Sequence, residues 1–110
     1  MGNNFYTDEI DKANKESRTE YKRRRDREID DLRLVLKKPE GRRFAYRMLC
    51  ECGVFKASFT QNSMQTSFNE GKRDIGLNLL ANMDEADPMA YSQMLREHYS
   101  ESRSKKKQED

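Results

Sequence analysis

Apolar side chains in this chain are confined to one stretch, and that confinement limits what it can fold into. After Met1, residues 1–28 offer only Phe5, Tyr6, Ile10, Ala13 and Tyr21 among polar residues, and nothing beyond Tyr99 is apolar. The material for a core therefore lies in residues 29–99. A core built from so few residues supplies only a few kcal/mol, so support from self-association or from a larger partner is expected. The charged fraction, 38% against 34% hydrophobic, points the same way, since ordinary globular chains carry about 25% charge.

The order of the punctuating residues sets the fold class. Residues 8–36 contain no Pro and no Gly, and Asp8/Lys12, Asp11/Lys15 and Glu20/Arg24 place an acid four positions before a base. That spacing supports a solvent-exposed helix at about 0.2–0.5 kcal/mol per pair. An apolar stripe begins only at Ile29, Leu32, Val35 and Leu36. Pro39 then breaks the helix and opens a second one over 39–52, with Gly53 as its left-handed stop. In that helix Phe44, Met48 and Cys52, flanked by Ala45 and Leu49, are expected to face inward. Arg42, Arg43, Arg47 and Glu51 are expected to face out.

Residues 54–62 read as a loop whose Phe55 and Phe59 fold back over the core. Asn62 or Ser63 caps a third helix, 64–83, with Phe68, Ile75, Leu79, Leu80 and Met83 on its apolar side. Gly71 and Gly76 within it suggest close approach by another backbone. Asp87 as N-cap and Pro88 in the first turn start a fourth helix, with Tyr91, Met94, Leu95 and His98 on one stripe. No strand pattern occurs. The sequence predicts an all-α fold: a charged helical extension over 1–28, a compact bundle of three to four short helices over 29–99, and a disordered charged tail over 100–110.

The candidate chemistry is thin. Metal sites in small proteins need three or four ligands, usually two Cys pairs or one pair with histidines, whereas this chain has one Cys-x-Cys, Cys50 and Cys52, and a single histidine, His98. Two positions on a helix are about 200° apart, so the cysteines point to opposite sides and read as buried or half-buried free thiols. A Cys–His–carboxylate set would need a fold that gathers distant residues in a pocket. The chain is expected to be no enzyme and to use no metal, cofactor or small-molecule substrate.

Charge offers the sharper candidates. The net charge of +2 divides into +2 over 1–38, −1 over 39–99 and +1 over 100–110. Lys22, Arg23, Arg24, Arg25 and Arg27 could grip phosphates with salt-dependent affinity, although Glu20, Asp26, Glu28, Asp30 and Asp31 would oppose it. Arg42, Arg43 and Arg47 form a second basic face, equally suited to acidic side chains of a neighbouring subunit. No apolar run reaches the roughly 20 residues of a membrane span, and the N-terminus lacks the basic-then-apolar order of a signal peptide.

One ordered series of motifs goes further: "PEGRR" at 39–43, "CGVF" at 52–55, "SFTQN" at 58–62, "EGKRDIG" at 70–76 and "ADPMAY" at 86–91. With the Leu-rich turn before them, they resemble a small family of tailed-bacteriophage proteins typified by one from a Bordetella podophage, encoded among structural and packaging genes. The resemblance covers about residues 30–97. It implies a phage-encoded virion component made in the bacterial host cytoplasm, internal or portal-proximal, with the DNA-ejection or head–tail connection proteins as neighbours. It carries over no catalytic residues. Partners expected on this basis are other virion proteins and further copies of the chain. The alternative is a nucleic-acid-binding factor for packaging or regulation, and a host-directed inhibitor is a third class.

Overall fold

A computed structural model describes the backbone of residues 4–109 and the side chains of residues 7–106. The fold is all-α, with α1 Asn4–Leu36, α2 Pro39–Glu51, α3 Ser63–Ala86 and α4 Ala90–Glu109. Residues 1–3 and 110 of the expected end segments lie outside the described residues.

Each boundary has a local cause. Lys37 and Lys38 form the turn after α1; Lys38 takes extended geometry with no side-chain cap, and Pro39 occupies the first turn of α2. At the far end of α2, Gly53 adopts φ 75°. Its N–H donates to the Cys50 carbonyl at 3.0 Å and the Val54 N–H to the Leu49 carbonyl at 3.1 Å, the paired bonds of a Schellman stop. Asn62 caps α3, its side-chain oxygen accepting from the N–H groups of Met64 at 2.9 Å and Gln65 at 3.1 Å. The Asp87 carboxylate accepts from the Met89 N–H at 3.0 Å, and the Ala90 N–H donates to the Asp87 carbonyl at 3.1 Å.

The core is formed by Ile29 and Leu36 of α1, Ala45 and Leu49 of α2, Met83 and Ala86 of α3, and Ala90 and Met94 of α4. Leu32, Tyr46, Val54, Leu79, Leu80 and Tyr91 pack around it. The backbone approach expected at the two glycines of α3 is not what the structure shows: a Cβ at Gly76 would collide with the side chains of Val54 and Cys52, and one at Gly71 would meet nothing within 4 Å.

Several apolar residues assigned to the core from the sequence lie elsewhere. Phe44 and Phe68 are more than half exposed, as is Ile75, and Phe59 is 80% exposed. Phe55 folds back only as far as Tyr46, with ring centroids 5.7 Å apart. The inward face of α2 is set by small Ala45 and by Leu49, which let the helices come close and leave Phe44 no room inside. On α3 the line through Leu79, Leu80 and Met83 faces the bundle, and Phe68 and Ile75 turn to solvent.

Both ends project as helices. Side chains 7–24 of α1 are all exposed, an arm of about 27 Å at 1.5 Å per residue. The side chains of α4 from Tyr99 to Lys106 are likewise exposed. The tail expected to be disordered continues as helix to Glu109, because no Pro or Gly follows Pro88 to stop it.

Candidate interaction surface

The arginines of α2 do not form one outward face. Arg42 is buried, only 6% exposed. Its Nε and Nη2 both lie 2.8 Å from Glu97 Oε1 on α4, and its Nη1 donates to the carbonyls of Leu36 at 2.9 Å and Lys37 at 3.1 Å. The guanidinium thus satisfies carbonyls left open where α1 ends while tying α1 and α2 to α4. The expectation that Arg42 is an exposed interaction residue is corrected: it is an internal clamp. Arg43 and Arg47 remain exposed, with the Arg47 guanidinium 5.3 Å over the Phe44 ring.

Arg43 and Arg47 edge a groove of about 300 Å³ between α2 and α4, lined further by Tyr46, Cys50, Met94 and His98. The Tyr46 ring stacks on His98 with centroids 4.3 Å apart. Burial raises the Tyr46 phenol above the ordinary tyrosine value, and its hydrogen bond with Cys50 adds to the effect. Cys50 is exposed and Cys52 half-buried, so the first is not the buried thiol read from the sequence. They do point apart: Cys50 lines the groove and Cys52 packs beside Gly76. The fold brings Cys50 and His98 to one groove. No hydrogen bond joins them among the described residues, and Glu97 beside them is engaged by Arg42. No group of three or more His, Cys, Asp or Glu among the described residues could hold a metal ion, and no described helix is long and apolar enough to cross a membrane.

The basic run on α1 is divided in a similar way. Lys22, Arg23, Arg24 and Arg27 are exposed. Arg25 turns inward onto α3, its Nη2 donating to Asn82 Oδ1 at 2.6 Å and Glu85 Oε2 at 2.8 Å. Arg33, which local sequence did not single out, donates from Nε to the Ala86 carbonyl at 2.8 Å and so closes the C-terminal end of α3. Each also pairs within α1, Arg25 with Glu28 and Arg33 with Asp30, but their partners on α3 lie more than 50 residues away, beyond the reach of any spacing rule.

The segment that carries Arg42, most of the groove lining and the Arg33 contact to α3 falls within a known sequence family. The model of the Bbp19-like phage protein family matches residues 32–96, more than half of the chain. The chain belongs to this family. No curated protein and no solved structure matches it. The family match starts at Leu32 and ends at Arg96, so it takes in most of the four-helix junction and leaves out Arg25, Ile29 and Glu97 together with the α1 arm and the last part of α4. In this chain the Bbp19-like segment is an all-α bundle, flanked by the α1 arm and the end of α4.

Proposed function

We propose that this Bbp19-like protein is a non-enzymatic structural or accessory subunit of a tailed-phage virion, internal or portal-proximal, acting through protein–protein contacts. Its neighbours on this reading are the DNA-ejection or head–tail connection proteins and other copies of itself, and it is made in the host cytoplasm before joining the particle. The observation that supports the reading is the amount of helix left uncovered. A small core carries an arm whose side chains 7–24 are all exposed, and large apolar side chains on α3 face solvent. Such surfaces suit a subunit that is completed by its neighbours.

Quantitative mass spectrometry of gradient-purified particles, full and emptied of DNA, tests this. A fixed copy number per particle is expected, and loss on emptying would assign the protein to the ejected set. Absence from particles would overturn the virion role. The exposed Lys22, Arg23, Arg24 and Arg27 favour a second reading, a nucleic-acid-binding accessory factor, which would then take its place.

A further inference from the structure

Helix α3 carries an apolar stripe that is left exposed among the described residues. Met64, Phe68 and Ile75 lie along one line and are 81%, 61% and 65% exposed. Gly71 sits in the middle of the line, and a Cβ added there would meet nothing within 4 Å. A glycine inside a helix costs up to about 1 kcal/mol relative to alanine. Gly76 offsets that cost inside the chain, where Val54 and Cys52 fill its space; Gly71 has no such use within the chain. Charge differs across the stripe. Glu70 and Asp74 lie on one flank, and Lys72 lies on the other with its ammonium 5.0 Å over the Phe68 ring.

The α1 arm carries a matching line. Ile10, Ala13, Ser17 and Tyr21 follow one another along a single side, and Tyr21 lies eleven positions after Ile10, as Ile75 does after Met64. Arg18 and Lys22 flank this line on one side, Glu16 and Glu20 on the other. Laid parallel with Ile10 beside Met64, the arm brings Ser17 beside Gly71 and Tyr21 beside Ile75, and Ala13 leaves room for Phe68. In that orientation Arg18 and Lys22 face Glu70 and Asp74, and Glu16 and Glu20 face Lys72. The reversed orientation sets Glu16 against Glu70, a like-charge contact.

We propose that the α1 arm of one copy docks in parallel along α3 of a second copy, over the Met64–Phe68–Gly71–Ile75 stripe. The two surfaces do not meet within one chain. α1 crosses α3 near the C-terminal end of α3, where Arg25 and Arg33 hold it to Asn82, Glu85 and Ala86, and the arm itself is exposed. Arm and stripe are different surfaces, so the contact is either made twice across a twofold axis, closing a dimer, or passed on head-to-tail to a ring or an open chain. The inference rests on the reading that the protein acts through protein–protein contacts, and it names the partner.

The test uses the full-length chain. Sedimentation is expected to show oligomers that grow with concentration. In a Cys50→Ser, Cys52→Ser background, a Ser17→Cys variant mixed with a Gly71→Cys variant is expected to give an interchain disulfide on oxidation, far in excess of either variant alone. Arg18→Glu should weaken association, and mixing it with Asp74→Arg should restore it; this pair does not depend on the glycine position. A chain that stays monomeric up to about 1 mM, the weakest affinity such a contact could usefully have, with no mixed disulfide, overturns the proposal. A monomer found in particles would remove only this inference, and an oligomer absent from particles would remove only the virion role.

Discussion

The Arg42 guanidinium and the Glu97 carboxylate, 55 residues apart in sequence, meet at 2.8 Å in the interior of the bundle. Replacing Arg42 with Ala leaves Glu97 and the carbonyls of Leu36 and Lys37 without their donor. The expected loss is about 3 kcal/mol, the lower end for a broken buried pair because Glu97 keeps some solvent. Arg42→Lys, which cannot reach carboxylate and carbonyls together, should fall between the two. Urea denaturation of the three proteins measures this, and an Arg43→Ala control should unfold with the wild type.

Core truncations should separate the residues that only looked central in sequence from those that are. Leu49→Ala and Met83→Ala, both at fully buried positions, should each cost about 2–5 kcal/mol. Phe68→Ala should leave the stability of the isolated chain almost unchanged. Thermal melts at a concentration where the chain is monomeric provide the comparison, and equal losses at 49 and 68 would contradict the packing described.

What the sequence made legible was punctuation. Pro39, Gly53, Asn62 and Asp87 each act in the structure as their chemistry demands, so four helices and their joints could be read from single residues. The inward faces were not legible to the same degree. On α2 the large Phe44 looked like core and Arg42 like surface, yet small Ala45 decides the helix approach and Glu97 from another helix draws Arg42 in. Periodicity locates a stripe, but the partner helix selects which stripe is used. The arginines at 25 and 33 were opaque for the same reason, since α3 supplies their acceptors.

Tyr46 makes part of the stability of the fold sensitive to alkaline pH. Burial, then the Cys50 hydrogen bond, raises its folded-state pKa above that of a free tyrosine, which is about 10. Folding thus disfavours the phenolate. This contribution to stability is fully present below the unfolded value and is lost as pH rises from there through the folded one. Absorbance titration near 295 nm should show one tyrosine ionising late. Tyr46→Phe should remove that late component and flatten the alkaline decline.

The two cysteines should differ in reactivity while neither is needed for folding. Cys50, exposed in the groove, should react with a thiol reagent in the native state well before half-buried Cys52. The Cys50→Ser, Cys52→Ser protein should fold and assemble normally. A collapse of its helical signal would show that the thiols are needed for packing.

Charge reversal separates the two functional readings. An Arg24→Glu, Arg43→Glu protein alters exposed cations outside the internal clamps, so it should keep the wild-type fold, and a wild type that shows no salt-dependent DNA binding leaves the protein-contact reading in place. If instead the wild type binds DNA with a steep salt dependence and this variant does not, the nucleic-acid reading gains the weight.

Helix α1 is continuous, but its two parts are held by different means. From Arg25 onward its turns are fastened to α3 and to the core; in the arm, over residues 7–24, each backbone hydrogen bond is supported only by its neighbours in the same helix, and a lone helix of that length is marginal in water. Amide protons should record the boundary. Those in the arm should exchange with deuterium through local opening, and those from Ile29 to Leu36 only when the whole bundle opens. Covering the arm with a partner would slow its exchange toward the rate of the bundle, so one helix reports both the stability of the bundle and the occupancy of its docking face.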